Sequence, residues 1–339
     1  MRIVPLGPND SISEIMLGTM TFGTQTSEAD AHRQMDMAAE AGVTWLDTAE
    51  MYPVNPVTKE TLGLTEQIVG RWCAQGGAGR LRLATKHLGP GGYAGQITAE
   101  TIPAAIEGSL KRLQSETIDL YQLHWPNRGS YHFRQNWSYR PEGDRDAILQ
   151  NLADCTGALE REVARGTIRA FGLSNETTWG LAQWLRLAGD GGARPVAVQN
   201  EYSLLCRLAD TDLAELMHHD QVTMLAFSPL ATGLLTGKYQ GGAIPEGSRR
   251  SINEGLGGRW SERVEPTVAA YLDLAREHGL DPVHMALAWL QTRPFVCSAI
   301  LGATTVAQLE HGLKAAGMDL SEELVAAIDE LHRAHPAPY

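Results

Sequence analysis

The sequence predicts a (β/α)8 TIM barrel, an α/β fold in which eight parallel strands alternate with helices and close into a cylinder. Two observations favour this class. Short apolar runs alternate with amphipathic helical stretches, and the alternation occurs eight times along the chain. A doubly wound open sheet usually carries GxGxxG after its first strand, and that pattern is absent from the sequence. We therefore expect a single barrel domain spanning 1–339.

The candidate strands are eight apolar segments rich in β-formers. In chain order they are 14–20, 44–49, 81–86, 118–125, 168–174, 196–201, 222–228 and 298–303. Several of the helical segments between them open on Ser, Thr or Asp and close on Gly, as helix caps do. This order predicts parallel strands joined by right-handed helical crossovers.

Two segments that follow predicted strands are too long to be simple connections. They are 126–144, after the fourth strand, and 229–265, after the seventh. In a barrel both would lie at the carboxyl ends of the strands, the face that carries active sites in this fold. Trp137 and other aromatic residues in the first segment are unlike disordered composition, so we expect lids or binding loops.

Composition excludes several classes of function. The chain has 339 residues, of which 43% are hydrophobic, and its net charge of −12 argues against nucleic-acid or acidic-membrane binding. Its four cysteines are far apart and form no CxxC pair, which predicts reduced packing residues and no metal site. Because neither a signal-peptide pattern nor a membrane-spanning run stands out, we expect a cytoplasmic protein.

Three predicted strands end on chemically capable side chains: Asp47, Lys86 and His124. Tyr52 follows just after the first of them. If these side chains face the lumen, their polar heads meet at the mouth of the barrel. A lysine ammonium paired with Asp47 is expected to lower the pKa of the Tyr52 phenol from about 10. Such a tyrosine is a candidate general acid for a carbonyl oxygen, with His124 as a hydrogen-bond donor and an external source of hydride.

Simpler interpretations of the same residues stay open at this point. Asp47 and Lys86 could form a structural ion pair, His124 could be a core histidine, and Tyr52 could pack against Pro53.

Eight sequence stretches, in order, resemble the aldo-keto reductase family over nearly the whole chain. They are MLGTMTFG, LDTAEMY, LATKHLG, YQLHWP, FGLSNE, VQNEYSLL, LAFSPLATGLLTGKY and LGATTVAQL. Within the family, AEMYP, the long segment 126–144 and the HPAPY tail are similar to the bacterial Tas-type branch. The resemblance implies an oxidoreductase that uses NADPH, or NADH, to reduce a small-molecule aldehyde or ketone.

The resemblance also implies roles for single residues. Tyr52 would be the proton donor, and Lys86 and Asp47 would be the pair that adjusts its pKa. His124 would orient the substrate and stabilise its oxyanion. Phe227 would stack on the nicotinamide. Asp47 would also contact the cofactor. The other implied cofactor contacts are Gly18, Thr19 and Met20 beneath the cofactor, Ser174, Asn175 and Gln199 at the carboxamide, Ser228, Pro229, Leu230, Ala231, Thr232, Lys238 and Arg249 around the pyrophosphate, and Gly302, Thr304 and Gln308 at the adenosine phosphate.

The sequence departs from the family pattern in two respects. His311 and Gly312 stand where the family often has Glu and Asn, and no basic residue lies between Thr304 and Gln308. Lys238 and Arg249 could supply the missing positive charge toward NADPH.

Two other functions remain as alternatives. A lysine at a barrel strand end can form a Schiff base, as in an aldolase, although the neighbouring Asp47 would keep Lys86 protonated. Some barrels of the resembled family act as cofactor-binding subunits of larger assemblies with little turnover.

Overall fold

The computed structural model describes residues 1–54, 57–89, 95–189 and 192–339. Within these ranges the strands are β1 (Ile3–Leu6), β2 (Asp10–Ser13), β3 (Ile15–Gly18), β4 (Trp45–Asp47), β5 (Arg82–His87), β6 (Ile118–Leu123), β7 (Ile168–Ser174), β8 (Pro195–Glu201), β9 (Thr223–Phe227) and β10 (Cys297–Gly302). β1 and β2 form a two-stranded hairpin, and the other eight strands form a closed parallel barrel in the order β10-β3-β4-β5-β6-β7-β8-β9. The barrel confirms the predicted fold class, and each barrel strand overlaps one of the eight predicted segments.

Helices surround the barrel. They are α1 (Glu28–Glu40), α2 (Leu64–Trp72), α3 (Thr101–Leu113), α4 (Arg145–Arg165), α5 (Thr178–Leu187), α6 (Asp212–His219), α7 (Arg249–Ile252), α8 (Val264–Glu277), α9 (Pro282–Trp289), α10 (Val306–Leu313) and α11 (Glu322–Ala334). The expected caps are present, since the side chains of Ser27, Asp144 and Thr177 accept backbone N–H groups at the starts of α1, α4 and α5. Among the described residues, no helix is long and apolar enough to cross a membrane.

The core has two layers. Most barrel strands contribute at least one buried apolar residue to the lumen, including Met16, Trp45, Leu120 and Leu225. A larger apolar layer lies between the outer faces of the strands and the helices. Because strand side chains alternate, a residue two positions beyond a lumen-filling side chain also faces the lumen. Asp47 lies two positions beyond Trp45, so its side chain also faces the lumen. Its carboxylate lies at the carboxyl end of the strands, where the packed interior ends.

The hairpin of β1 and β2 was not predicted, and it covers the amino-terminal end of the barrel. Leu6 and Ile12 pack into the luminal cluster. The indole of Trp45, at the start of β4, donates to the carbonyl of Ser11 at 3.0 Å. Gly7 has a φ of +59°, and a Cβ there would lie 2.8 Å from the Cβ of Val196, so this turn requires glycine.

Two long segments lie at the opposite, carboxyl end of the strands. The first mouth loop, 124–144, connects β6 to α4, and the second mouth loop, 228–263, connects β9 to α8 and contains α7. The tail after α11 returns to the second loop, because the Ser261 hydroxyl donates to the carbonyl of Pro338 at 2.6 Å. These loops and the tail surround the ends of the strands that carry the candidate catalytic side chains.

Candidate active site

Asp47, Tyr52, Lys86 and His124 lie together at the mouth of the barrel. The Nζ atom of Lys86 donates to Oδ2 of Asp47 at 2.7 Å and approaches the hydroxyl of Tyr52 at 3.4 Å. The ring centroids of Tyr52 and His124 are 6.0 Å apart in an edge-to-face arrangement. All four residues are buried. The ends of β4, β5 and β6 therefore bring a carboxylate, an ammonium, a phenol and an imidazole into one enclosed group.

Further hydrogen bonds fix the ion pair. The Lys86 ammonium also donates to the carbonyl of Thr48 at 2.7 Å. On the other side, the amide of Gln199 donates to Oδ1 of Asp47 at 2.8 Å and to Oε1 of Gln122 at 3.2 Å. Gln122 and the carbonyl of Thr48 were not among the predicted site residues. Gln122 lies two residues before His124 on the same strand face, a relation visible in the sequence.

The pKa of the Tyr52 phenol lies well above its ordinary value, and the expectation that Lys86 lowers it is wrong. Burial is the main cause, and the negative charge of Asp47 adds to it, whereas Arg249 acts in the opposite direction. The charge of Lys86 is engaged by Asp47 at the shorter distance. The phenol is consequently protonated throughout the neutral pH range, the form that a proton donor requires.

His124 is neutral in this environment. Burial lowers its pKa well below the ordinary value, and the nearby ammonium of Lys86 acts in the same direction. Its Nδ1 atom is buried without a hydrogen-bond partner among the described residues. A neutral imidazole beside Tyr52 can donate one N–H to a substrate oxygen.

The residues predicted to hold a nicotinamide carboxamide lie on neighbouring strand ends. Asn175 donates through Nδ2 to the carbonyl of His124 at 2.9 Å, while its Oδ1 is buried with no partner among the described residues. The Ser174 hydroxyl donates to the carbonyl of Gln199 at 2.9 Å. A buried carboxamide oxygen without a donor fits an incoming amide N–H₂, which would satisfy it. The ring of Phe227, at the end of β9, is partly exposed at the same mouth.

The residues predicted beneath the cofactor lie where β3, β4 and β10 adjoin. Gly18 pairs with Asp47 on one side and with Gly302 on the other. A Cβ on Gly18 would lie 2.8 Å from a methyl carbon of Ile300, so a larger residue would obstruct this floor. Thr19 is buried and donates to the carbonyl of Asp47 at 2.8 Å. Met20 follows directly and is partly exposed.

The predicted phosphate contacts form two groups. Ser228, Ala231 and Thr232 have φ values of +52°, +47° and +56°, so the start of the second mouth loop turns sharply. Pro229 and Leu230 lie within that turn, and Lys238 and Arg249 lie further along the same loop. Burial lowers the pKa of both Lys238 and Arg249, an effect that an anionic ligand would oppose.

The second group lies at the start of α10, next to Gly302. Oε1 of Gln308 accepts the backbone N–H of Thr304 at 3.1 Å and the Thr304 hydroxyl at 3.0 Å. Thr305 caps the helix by accepting the N–H of Gln308. The predicted pair is thus in mutual contact at a helix N-terminus, a position that favours phosphate.

The chain belongs to the aldo/keto reductase family. The sequence profile described as Aldo/keto reductase family matches residues 14–333. This membership agrees with the closed barrel and with the resemblance identified from the sequence motifs.

Individual relatives agree with this assignment. The chain is 42% identical to Protein tas of Escherichia coli, over 96% of each sequence. It is 32% identical to the uncharacterized oxidoreductase YrpG of Bacillus subtilis, over 94% of this chain and 92% of that protein. It is also 27% identical to a probable voltage-gated potassium channel subunit beta of Arabidopsis thaliana, over 90% of this chain. Family membership and the name of the Bacillus subtilis relative support an oxidoreductase in general terms.

Proposed function

We propose that the protein is an NADPH-dependent carbonyl reductase that converts a small aldehyde or ketone to an alcohol, with Tyr52 as the proton donor. The observation that carries the proposal is the enclosed group at the mouth. A protonated phenol lies 3.4 Å from a lysine ammonium that is itself paired with a carboxylate at 2.7 Å. Family membership supports the same chemistry.

The proposed step balances in protons and electrons. When bound, a reduced nicotinamide supplies the hydride that adds to the carbonyl carbon. Tyr52 gives its phenolic proton to the carbonyl oxygen, and His124 orients that oxygen through an N–H donor. The Lys86 ammonium stabilises the phenolate that is left behind, and solvent returns the proton after the alcohol has departed.

The residues suited to hold the cofactor follow from the site. Asn175 and Ser174 would bind the carboxamide, and Phe227 would cover one face of the nicotinamide ring. Lys238 and Arg249 would neutralise phosphate charge, and the bound phosphate would raise their pKa values, which burial lowers. Thr304 and Gln308 would receive the adenosine end at the start of α10.

The test is NADPH oxidation, followed at its absorbance band, with a panel of aldehydes and ketones. We expect turnover by the wild-type protein and a loss of about 10² to 10⁴ in kcat for Tyr52→Phe, the usual contribution of a general acid. Tyr121→Phe is the matched control, because Tyr121 is buried and its hydroxyl has no partner among the described residues. Undiminished turnover in Tyr52→Phe would remove Tyr52 from this role.

A second candidate is a cofactor-binding subunit with little turnover of its own. The observation that favours it is the identity to a relative named as a potassium channel subunit beta. Tight binding of NADPH, measured by nucleotide fluorescence, without oxidation by any carbonyl compound would support this candidate over the reductase.

The geometry does not favour a Schiff-base aldolase. Lys86 is held by Asp47 and by the carbonyl of Thr48, and a protonated, hydrogen-bonded amine is not nucleophilic. Borohydride trapping of a carbonyl adduct on Lys86 would revive this possibility.

A further inference from the structure

Three side chains of metal-ligating type meet where α9 adjoins α10. Asp281, His284 and His311 each offer one ligand atom, and these three atoms all lie within 4.8 Å of one another. Asp281 and His284 lie at the start of α9, and His311 lies in α10. Within the described ranges, this is the one group of three or more such side chains arranged to hold an ion. None of the three belongs to the candidate active site.

Asp281 fixes one corner of this group. It precedes α9, and its Oδ1 atom caps the helix by accepting the backbone N–H groups of Val283 at 2.8 Å and of His284 at 3.3 Å. Its second oxygen, Oδ2, lies 3.2 Å from Nε2 of His311. The cap therefore orients the carboxylate through one oxygen and leaves the other directed at α10. Carboxylates that ligate metals are commonly oriented by hydrogen bonds in this way.

The two imidazoles lie against each other. Their ring centroids are 4.8 Å apart, and Nε2 of His284 lies 2.8 Å from the backbone carbonyl oxygen of His311. Because a carbonyl oxygen only accepts hydrogen bonds, Nε2 of His284 carries the proton and Nδ1 is the basic nitrogen of its neutral ring. A histidine that ligates a metal usually donates its other ring N–H to such an acceptor, which fixes its tautomer and orientation.

The group is open to solvent. The side chains of His311 and Asp281 are 45% and 35% exposed, and His284 is half-buried. An ion can therefore enter directly, and water can complete its coordination. A contact between two exposed side chains contributes little to stability, so an ion that replaces the contact between Asp281 and His311 sacrifices little.

The donor types indicate which ion fits. Zinc takes imidazole nitrogen and carboxylate oxygen at about 2.0 to 2.2 Å, which places neighbouring ligand atoms of a tetrahedral site about 3.3 Å apart. The 3.2 Å between Asp281 and His311 already matches this spacing. The widest separation in the group, at most 4.8 Å, closes to it through small rotations of surface side chains. Magnesium and calcium prefer oxygen ligands, and two imidazoles disfavour them.

His311 is also a residue at which the chain departs from the pattern of its family, which often has Glu there. It supplies the second imidazole and connects α10 to the carboxylate and the imidazole at the start of α9. The group is thus completed by a residue that the family pattern does not predict.

We propose that Asp281, His284 and His311 form a binding site for a divalent transition metal ion, with zinc as the best-fitting ion, and that the bound ion joins the start of α9 to α10. Three protein ligands leave a coordination position for water. The proposal is independent of the reductase function, because these residues take no part in that chemistry.

The first test measures zinc binding to the full chain, after treatment with a chelator, by competition with a fluorescent zinc indicator. We expect one zinc ion per chain that an excess of magnesium chloride does not displace. Asp281→Asn, His284→Gln and His311→Gln should each weaken zinc binding by at least about tenfold, since even the loss of a hydrogen bond to a ligand has an effect of that size. No zinc binding by the wild-type protein, or unchanged affinity in any of the three variants, would overturn the proposal.

The substitutions are chosen to preserve the fold. Asn caps helices as well as Asp does, so Asp281→Asn keeps the cap of α9 and removes the charge. His284→Gln retains an amide N–H for the carbonyl of His311. His311→Gln changes a side chain that is nearly half exposed, so it remains a valid test if either change at the start of α9 unfolds the chain. His278→Gln, at an exposed position directly after α8, is the control and should bind zinc as the wild-type protein does. A matching loss in the control would count against the site.

The second test asks whether the ion joins the two helices. Zinc that binds only the folded chain raises the midpoint of thermal unfolding, and the rise grows with the ratio of free zinc to Kd. We expect this rise in the wild-type protein and in His278→Gln, and its loss in the three ligand variants. An equal rise in His311→Gln would show that α10 provides no ligand and would refute the proposal. Both measurements are made without cofactor or substrate, so their result stands whether or not the chain reduces carbonyl compounds.

Discussion

The Lys86 ammonium and the Asp47 carboxylate form an enclosed ion pair, 2.7 Å apart, with side chains 0% and 3% exposed. Removing one partner leaves an uncompensated buried charge, whereas removing both does not. We therefore expect Lys86→Met or Asp47→Asn to lower the free energy of unfolding by about 3 to 5 kcal/mol.

The combined variant Lys86→Met with Asp47→Asn should recover part of that loss of stability while remaining inactive. Urea unfolding followed by tryptophan fluorescence measures the stability, and NADPH oxidation measures the activity. If the two single effects simply added in the double variant, the pair would not be coupled as its geometry indicates.

The raised pKa of Tyr52 determines the alkaline side of the proposed activity. A general acid loses activity as the pH rises through its pKa, and burial and Asp47 place that pKa well above its ordinary value of 10.0. We expect kcat/KM for carbonyl reduction to be independent of Tyr52 ionisation from about pH 6 to about pH 9. A pH–rate profile that declines near neutrality, and whose decline vanishes in Tyr52→Phe, would contradict this expectation.

Two buried histidines should make the fold sensitive to acid. Burial lowers the pKa of His87 and of His132 from 6.5 to about 4. As the pH falls below 6.5 the unfolded chain gains protons that the folded chain excludes, so stability decreases until the pH reaches the folded pKa. At pH 5 this costs about 2 kcal/mol for each histidine.

The variant His132→Gln should reduce this acid sensitivity. Its amide can still donate to the carbonyl of Glu176, which Nε2 of His132 approaches at 3.1 Å. Between pH 7 and pH 5, His132→Gln should lose about 2 kcal/mol less of its unfolding free energy than the wild-type protein. His218→Gln, at an exposed position on α6, is the control and should follow the wild-type curve.

The positive charges of the second mouth loop should determine the choice of cofactor. If Lys238 and Arg249 contact the additional phosphate of NADPH as well as the pyrophosphate that both cofactors share, Lys238→Ala or Arg249→Ala should raise KM for NADPH about tenfold and KM for NADH much less, because one charge-assisted hydrogen bond to that phosphate is lost. Lys111→Ala, an exposed position on α3, is the control. Equal effects on both cofactors would show that these residues do not recognise the additional phosphate.

The sequence alone predicted the barrel and the neighbourhood of the candidate site. Asp47, Lys86 and His124 each come at the end of an apolar run, and the carboxyl ends of parallel strands share one face of the barrel. Convergence at the mouth therefore follows from local patterns. The amino-terminal hairpin could not be predicted in this way, because its four-residue strands, such as DSIS, are too short and polar to show the alternation of a strand.

Other features depend on burial or on distant partners and could not be predicted. The pKa of Tyr52 is set by the depth of the phenol and by the position of Asp47, neither of which a sequence reveals. Glu201 meets Arg259, Arg134 and Tyr339 at separations of 58, 67 and 138 residues. Side chains so far apart leave no periodic signal, and an acidic residue at a strand end resembles many others.

The lumen of the barrel is packed with apolar side chains, and Leu6 and Ile12 of the hairpin complete that packing at the amino-terminal end. Small molecules therefore reach the candidate catalytic side chains from the opposite end, where the strands have their carboxyl ends. In the proposed reaction, a product formed beside Tyr52 would depart through the same mouth that admitted its precursor. The more tightly the residues of this mouth held a substrate, the longer they would also delay release of the product, so affinity and turnover rate would be opposed in this architecture.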